Sequence, residues 1–306
     1  MKLKIEGYGD PTRCKCIPDF SLRFMDETFL ESNKTIDQVK HIMVDYFKKR
    51  DSKFAKNGIH ALLNSHAAIY YIPFCTGMSF HFRFTGQSIP NRDSVKNEKG
   101  VKIYFDVISS KSRKEETTRL TNKVFSKADE LCSQLSELET IVYLVSAHEF
   151  GHAIYNLECV SEHLRPESSS LLEEPRAELT ALTTLKLMFD AKFISEETMK
   201  KNLLNFCLDD LRRYAKYDSS ATRPYTISSL NCYKIYEKTG YLTLVNDSIE
   251  IDQDKSIDVL NIKSDEYKSF LDAIDELNGE KIEKIGEEMQ KECDLTKFLI
   301  SKLFNK

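Results

Sequence analysis

Apolar positions recur at intervals of three and four through Ile36, Val39, Ile42, Met43, Tyr46 and Phe47. This predicts an amphipathic helix within residues 36–65, with a second across 59–63. The period then shortens. Residues 68–74, 78–84 (Phe80, Phe82 and Phe84 alternating with polar neighbours) and 101–107 read as strands. The polar run 111–118 reads as a loop, and helices dominate beyond residue 115. Near the end, 240–245 and 248–252 flank Asn246-Asp247, a turn pair that predicts a short hairpin, with helical segments from about residue 265 onward. The expected fold class is α+β, mostly α. A mixed α/β region over 1–114 precedes a helical region over 115–306, and the two could form one continuous domain.

Composition narrows the function. The 306 residues carry 44 Lys and Arg against 48 Asp and Glu, a net charge of -4, with no basic run to track a phosphate backbone. Nucleic acid is not an expected partner. Apolar residues make up 41%, including 18 Phe and 14 Tyr, which is enough to fold around a core without disulfide or metal staples. The eight cysteines are scattered without a CxxC pair, as expected of reduced thiols, and Cys14-Lys-Cys16 reads as a plain turn. The opening MKLKIEGYGDP lacks the apolar stretch of a secretion signal, and no later run is long enough for a membrane span. The expected location is cytoplasmic, in its own cell or, for a delivered effector, in a host cell.

The chemistry lies in residues 133–156. Leu135, Leu138, Ile141, Val142, Leu144 and Val145 give a helical apolar face leading into His148-Glu149-Phe150-Gly151-His152. On a helix, His148 and His152 project one turn apart, so both imidazoles can reach one Zn2+ at about 2.0 to 2.1 Å. Glu149 is displaced around the helix and can face the water that such a metal activates, as its general base. The plainer reading is a buried helix whose histidines bond to carbonyls. Against it, burying two imidazoles and a carboxylate is unfavourable without a partner such as a cation. Gly151 costs roughly 1 kcal/mol relative to Ala inside a helix, which suggests a close approach by another element or by substrate.

A catalytic zinc site requires a third protein ligand. Glu158, Glu162, His163, Glu167, Glu173, Glu174 and Glu178 are candidates. Tyr155 and Glu158 stand where a metzincin needs glycine and histidine, which excludes that class. Residues 171–189 read as a second helix with Pro175 in its first turn. Glu174, Ala177, Glu178 and Ala181 share one face, where the small side chains permit close packing against the HEFGH helix. Glu174 is assigned as third ligand, and Glu178 as acceptor for the outer N–H of a ligand imidazole. A helix N-terminus alone would also favour Glu173 and Glu174 through its dipole. Oxyanion donors are sought at Arg223, Tyr225 and His163. Residues 78–84 or 101–107 are candidates to offer a sheet edge to an extended peptide.

HExxH on one helix and a glutamate on the next resemble a gluzincin metallopeptidase, with a zincin-like helical core. Glu173-Glu-Pro-Arg-Ala-Glu178 closely resembles the EECRAE motif of the dipeptidyl peptidase III family, whose second glutamate binds zinc. Glu174 matches that position. The family's helix motif, HELLGH, has one more residue between its histidines than HEFGH. Residues 228–241 and 249–252 are similar to the family's late helix, glycine turn and hairpin. The resemblance covers roughly 135–290, and 306 residues leave no room for the family's large additional lobe. The Gly-His ending and the Glu-x-Arg-Ala pattern also resemble the ImmA/IrrE-type regulatory proteases. What these resemblances imply is a zinc metallopeptidase acting on a peptide or protein. A regulatory or interaction protein with a structural or vestigial zinc site is the alternative.

Overall fold

The computed structural model describes residues 4–6, 20–25, 27–76, 85–89, 100–215 and 223–304. A five-stranded sheet forms around the segments 68–74 and 101–107, joined by strands the pattern does not announce. Strand β3 (His66–Thr76) pairs antiparallel with β2 (Phe20–Met25) and parallel with β5 (Lys102–Phe105). β1 (Lys4–Glu6) lies beyond β2, and β4 (Gly86–Ile89) runs antiparallel to β5 at the opposite edge, for an order β1-β2-β3-β5-β4. The segment 101–107, expected as a possible sheet edge, is therefore interior. Among the described residues the edge belongs to β4, whose Gly-Gln-Ser-Ile carries no alternation to announce it. Residues 78–84 lie outside the described residues.

Helices α1 (Leu30–Phe47) and α2 (Lys53–Leu63) cover the first helical pattern. The hydroxyl of Ser52 accepts from the backbone N–H of Phe54 and Ala55 and starts α2. The run 111–118 is not a loop but part of α3 (Val107–Val124), capped by Asp106. Ser109 and the stripe Thr117, Leu120, Thr121 and Val124 are buried among its described side chains, and most of the sequence of this helix is polar. Polarity alone does not distinguish an exposed helix from a loop. A short helix α4 (Ala128–Ser133) follows.

The helix carrying HEFGH, α5, spans 137–151 in three parts. Glu137–Thr140 is α-helical, Ile141–Val145 is one wider π turn, and Ser146–Gly151 is α-helical again. The helix stops at His152, short of the expected Asn156, because Tyr155 adopts a left-handed backbone at φ 53°. Its buried ring holds it there, stacked on Phe47 with its hydroxyl donating to Asp275 at 3.0 Å. A 3-10 segment, Leu157–His163, leads on.

Helix α6 (Ser168–Asp190) begins three residues before the expected start, which puts Pro175 in its interior rather than its first turn. The early start is anchored by Glu283, whose carboxylate accepts from the Ser168 hydroxyl and the Arg165 N–H. α6 is buried on nearly all sides, with α5, α8 (Arg223–Thr239) and α9 (Ser256–Asp275) packed around it. α7 (Glu196–Tyr214), α10 (Gly279–Met289) and α11 (Asp294–Phe304) complete the helices. The expected hairpin is β6 (Leu242–Val245) with β7 (Ser248–Ile251), turned at Asn246 and Asp247, both at positive φ. One apolar cluster runs from Ile36 to Leu299 across position 114. Among the described residues, no helix is long and apolar enough to cross a membrane.

Asp210 on α7 is buried, accepting from the hydroxyls of Ser229 at 3.1 Å and Tyr236 at 3.2 Å. Burial, opposed by the charge of Arg213, pushes its carboxyl up to about 7 from an ordinary 3.8. The folded chain thus keeps a proton between about pH 4 and 7 that the unfolded chain releases. Stability falls as pH rises through this window, with a slope approaching ~1.4 kcal/mol per pH unit from this group. Asp210→Asn keeps an acceptor but no titration, so its curve of Tm against pH should be flatter there. An unchanged slope would show that Asp210 does not carry the effect.

Candidate metal centre

Helices α5 and α6 meet at Gly151, where an added Cβ would lie 3.1 Å from Cβ of Thr180. The close approach that this glycine suggested is thus made by a neighbouring helix. Arg176, fully buried on α6, donates to the carbonyls of Gly151 and Ile154, each at 2.9 Å. The Gly151 carbonyl also accepts from the Ile154 N–H, so the guanidinium reinforces that bond and gives the Ile154 carbonyl, just past the end of α5, its partner.

The crossing brings three side chains together. Nε2 of His148 lies 3.2 Å from Nε2 of His152 and 3.2 Å from Oε2 of Glu174, and His152 Nε2 is 3.8 Å from the same oxygen. Ligands about 2.0 to 2.1 Å from a tetrahedral ion stand roughly 3.3 Å apart, so this triangle is close to the size zinc requires. Oε2 of Glu174 is buried and, among the described residues, accepts no hydrogen bond despite its nearness to the two rings. The carboxylate oxygen faces both imidazole nitrogens without accepting from either, while the nitrogens stand Nε2 to Nε2 at hydrogen-bond distance, an arrangement that suits a cation among the three. Among the described residues, these three form the group of His, Cys, Asp or Glu that could hold a metal ion.

Carboxylates back each ring. Nδ1 of His152 lies 2.9 Å from Oε1 of Glu173, which also accepts from Arg176 and Asn156, while Oε2 accepts from the Leu157 N–H at 3.0 Å. Burial would raise Glu173, but Arg176 and His152 hold it far below the usual carboxylate range. Glu174 is likewise raised by burial yet held down at about 2 by His152 and His148. Glu178 stands 3.5 Å from Nδ1 of His148 and pairs with Arg213. Burial raises Glu178 as well, and the charges of Arg213 and His148 reverse this to a net lowering. The sequence reading gave a ring-backing position to Glu178 alone. The missed residue is Glu173, whose signal was Arg176 three places on, at helical pairing distance.

A cavity of about 320 Å³ is lined by His148, Glu149, Glu178 and Tyr225, with Thr85 and Gly86 of the sheet-edge segment alongside. Burial raises the Glu149 carboxyl, against the pull of His148 and His152. Tyr225 sits with its ring 5.6 Å from the Arg213 guanidinium, and burial, then the charge of Glu174, push its hydroxyl well up. Arg223 is exposed at the start of α8, and His163 lies in the 3-10 segment 3.6 Å from Glu162; neither lines the cavity. Of the three oxyanion candidates, the fold brings only Tyr225 to the site.

Gly86 of β4 abuts Glu149 so closely that an added Cβ would lie 2.8 Å from its Oε1. Gly86→Ala should therefore displace the carboxylate while leaving the His148, His152 and Glu174 triangle intact. Misplacement approaching 1 Å can cost on the order of 10²-fold in rate. For a zinc hydrolase with Glu149 as its base, the expected result is a kcat reduced roughly 10- to 100-fold with zinc content unchanged, read by turnover and metal analysis of the same sample.

No protein-family model matches the chain, and no curated protein sequence does. Solved structures of dipeptidyl-peptidase III do. The enzyme from Caldithrix abyssi superposes with a TM-score of 0.73 at 13% identity, over 99% of this chain and 58% of that one. The enzyme from Corallococcus sp. strain EGB gives 0.67 at 13% identity, over 98% and 56%. The chain has a dipeptidyl-peptidase III-like fold, of the α+β, mostly α class, and spans under three fifths of those structures. In fold, the likeness extends well beyond residues 135–290, where the sequence carries it.

Proposed function

We propose that the protein is a zinc-dependent metallopeptidase of the gluzincin type, with His148, His152 and Glu174 as ligands and Glu149 as general base. The observation that carries this reading is the convergence of three ligand atoms 3.2 to 3.8 Å apart, with the buried Glu174 oxygen lacking a hydrogen-bond partner. Zinc held there would supply Lewis acidity toward the scissile carbonyl and lower the pKa of a coordinated water to about 7.

The chain's own residues would do the rest. Glu149 takes the proton from the attacking water and later delivers it to the leaving amine; a carboxyl raised by burial suits a group that must act first as base and then as acid. Tyr225, kept protonated by burial, donates its O–H to the oxyanion. Glu173 fixes the ring orientation of His152 through a hydrogen bond, and Glu178 acts on His148 through its charge, 3.5 Å from an Nδ1 that has no hydrogen-bond partner among the described residues. β4 presents its outer edge to an extended peptide, which adds as a further strand beside Glu149. The substrate is a peptide or protein, and a cytoplasmic location belongs to the same reading.

The test is zinc analysis of the purified chain together with digestion of a peptide library. About one zinc per chain is expected, with cleavage abolished by a chelator and restored by zinc. A chain that neither contains nor takes up zinc overturns the reading.

A further inference from the structure

The wall of the same cavity carries four cations, one of which touches no carboxylate among the described residues. Arg113 and Lys114 of α3 line it, together with Arg212 and Arg213 of α7. Three of these cations are matched. Lys114 lies 3.5 Å from Glu137 and donates to the Leu135 carbonyl. Arg212 grips Asp209 through two hydrogen bonds, at 2.7 and 3.1 Å. Arg213 is held between Asp209 at 2.9 Å and Glu178.

Arg113 makes no hydrogen bond or salt bridge among the described residues. It is close enough to Arg212, Asp209 and Arg213 to feel their charges, and burial, then Arg212, push its guanidinium down from the ordinary value. It stays charged nonetheless, since arginine does not lose its proton in proteins. Arg113 is thus the one cation of the four that touches no carboxylate among the described residues, although Glu137, Glu149, Glu178 and Asp209 line the same cavity.

A second, independent feature lies on the same wall. Asn205, one helical turn before Asp209 on α7, is only 6% exposed, and its Nδ2 has no acceptor among the described residues. A buried donor left unpaired is unfavourable by about 1 to 3 kcal/mol, and an arginine lining the same cavity favours an acceptor that is also an anion.

We infer that Arg113 and Asn205 form a subsite for a carboxylate of the substrate, either its C-terminal α-carboxylate or an Asp or Glu side chain. The guanidinium fork matches a planar carboxylate, and the amide N–H adds a further donor. The subsite deepens the peptidase reading and rests on it for the identity of the ligand as a peptide. It makes the enzyme selective for substrates with a negative charge near the scissile bond.

The test uses the zinc-loaded full chain and three probes: pentaalanine, its C-terminal amide, and that amide with one alanine replaced by glutamate. Affinity is read by titration calorimetry on the Glu149→Gln chain, so binding is seen without turnover, and kcat/KM is read on the wild type. One carboxylate probe should bind roughly 10- to 100-fold more tightly than the plain amide. Preference for pentaalanine assigns the C-terminal carboxylate, and preference for the glutamate amide assigns a side chain. Arg113→Gln should collapse the ratio toward one, and Arg113→Lys should keep part of it, with Tm showing both variants folded. Equal affinity for all three probes, or a ratio that survives Arg113→Gln, overturns the subsite. Carboxylate binding through Arg113 without hydrolysis of any peptide overturns the peptidase reading and leaves the subsite standing. Hydrolysis indifferent to the carboxylate overturns the subsite alone.

Discussion

Glu149→Gln is expected to retain about one zinc per chain and to lose at least roughly 10² to 10⁴ in kcat. The substitution keeps the size and shape of the side chain, so the contact with Gly86 and the packing of α5 survive. What disappears is a group that can receive a proton. The two readouts separate chemistry from folding, because an intact metal content shows that His148, His152 and Glu174 are still in place. Turnover at the wild-type rate in this variant would remove Glu149 from the mechanism.

Glu174→Gln and His148→Ala should each release the metal, with zinc falling well below one equivalent after dialysis and peptide cleavage lost with it. Glu174 contributes a buried oxygen with no other partner among the described residues, so its replacement leaves nothing to take over. Glu173→Gln is a graded control. It weakens the support behind His152 and is expected to reduce zinc affinity roughly 10- to 100-fold rather than abolish it. Zinc at 1,000 times its dissociation constant would add about 4 kcal/mol to folding stability. The wild type should therefore show a zinc-dependent rise in Tm that Glu174→Gln lacks. A Glu174→Gln chain that still binds zinc at full stoichiometry would discard the ligand set.

How much of this was legible depends on how far apart in the chain the determinants lie. The hairpin at Asn246-Asp247 follows from two residues that tolerate positive φ between two short apolar runs. The grouping of His148 and His152 follows from one turn of helix, and Glu174 from a helical face of carboxylates and small residues. Other features depend on partners the local pattern does not contain. β4 is a strand only because β5 offers it a ladder. The termination of α5 depends on Phe47 and Asp275, more than 100 positions away from Tyr155 in each direction. Arg223, His163 and Tyr225 looked equivalent as donors, yet only Tyr225 lies on the part of α8 that faces the cavity. Arg113 was concealed within a run read as loop, where its charge looked like ordinary solvation.

The π turn at Ile141–Val145 carries the buried Ile141, Val142 and Leu144 that anchor α5 and ends just before the pair of histidines. A turn of this kind accommodates about one residue more than an α turn. Losing one residue there would turn the π turn into an α turn and leave the phase of everything beyond it nearly unchanged. Gaining one residue finds no such slack, because the turn is already widened, and would swing everything beyond it by about 100° and push it forward about 1.5 Å. Both imidazoles would then point away from Glu174 although no ligand had been altered. The angular phase of the centre is therefore written in the spacing of the chain, which tolerates a single-codon deletion upstream of the motif better than a single-codon insertion.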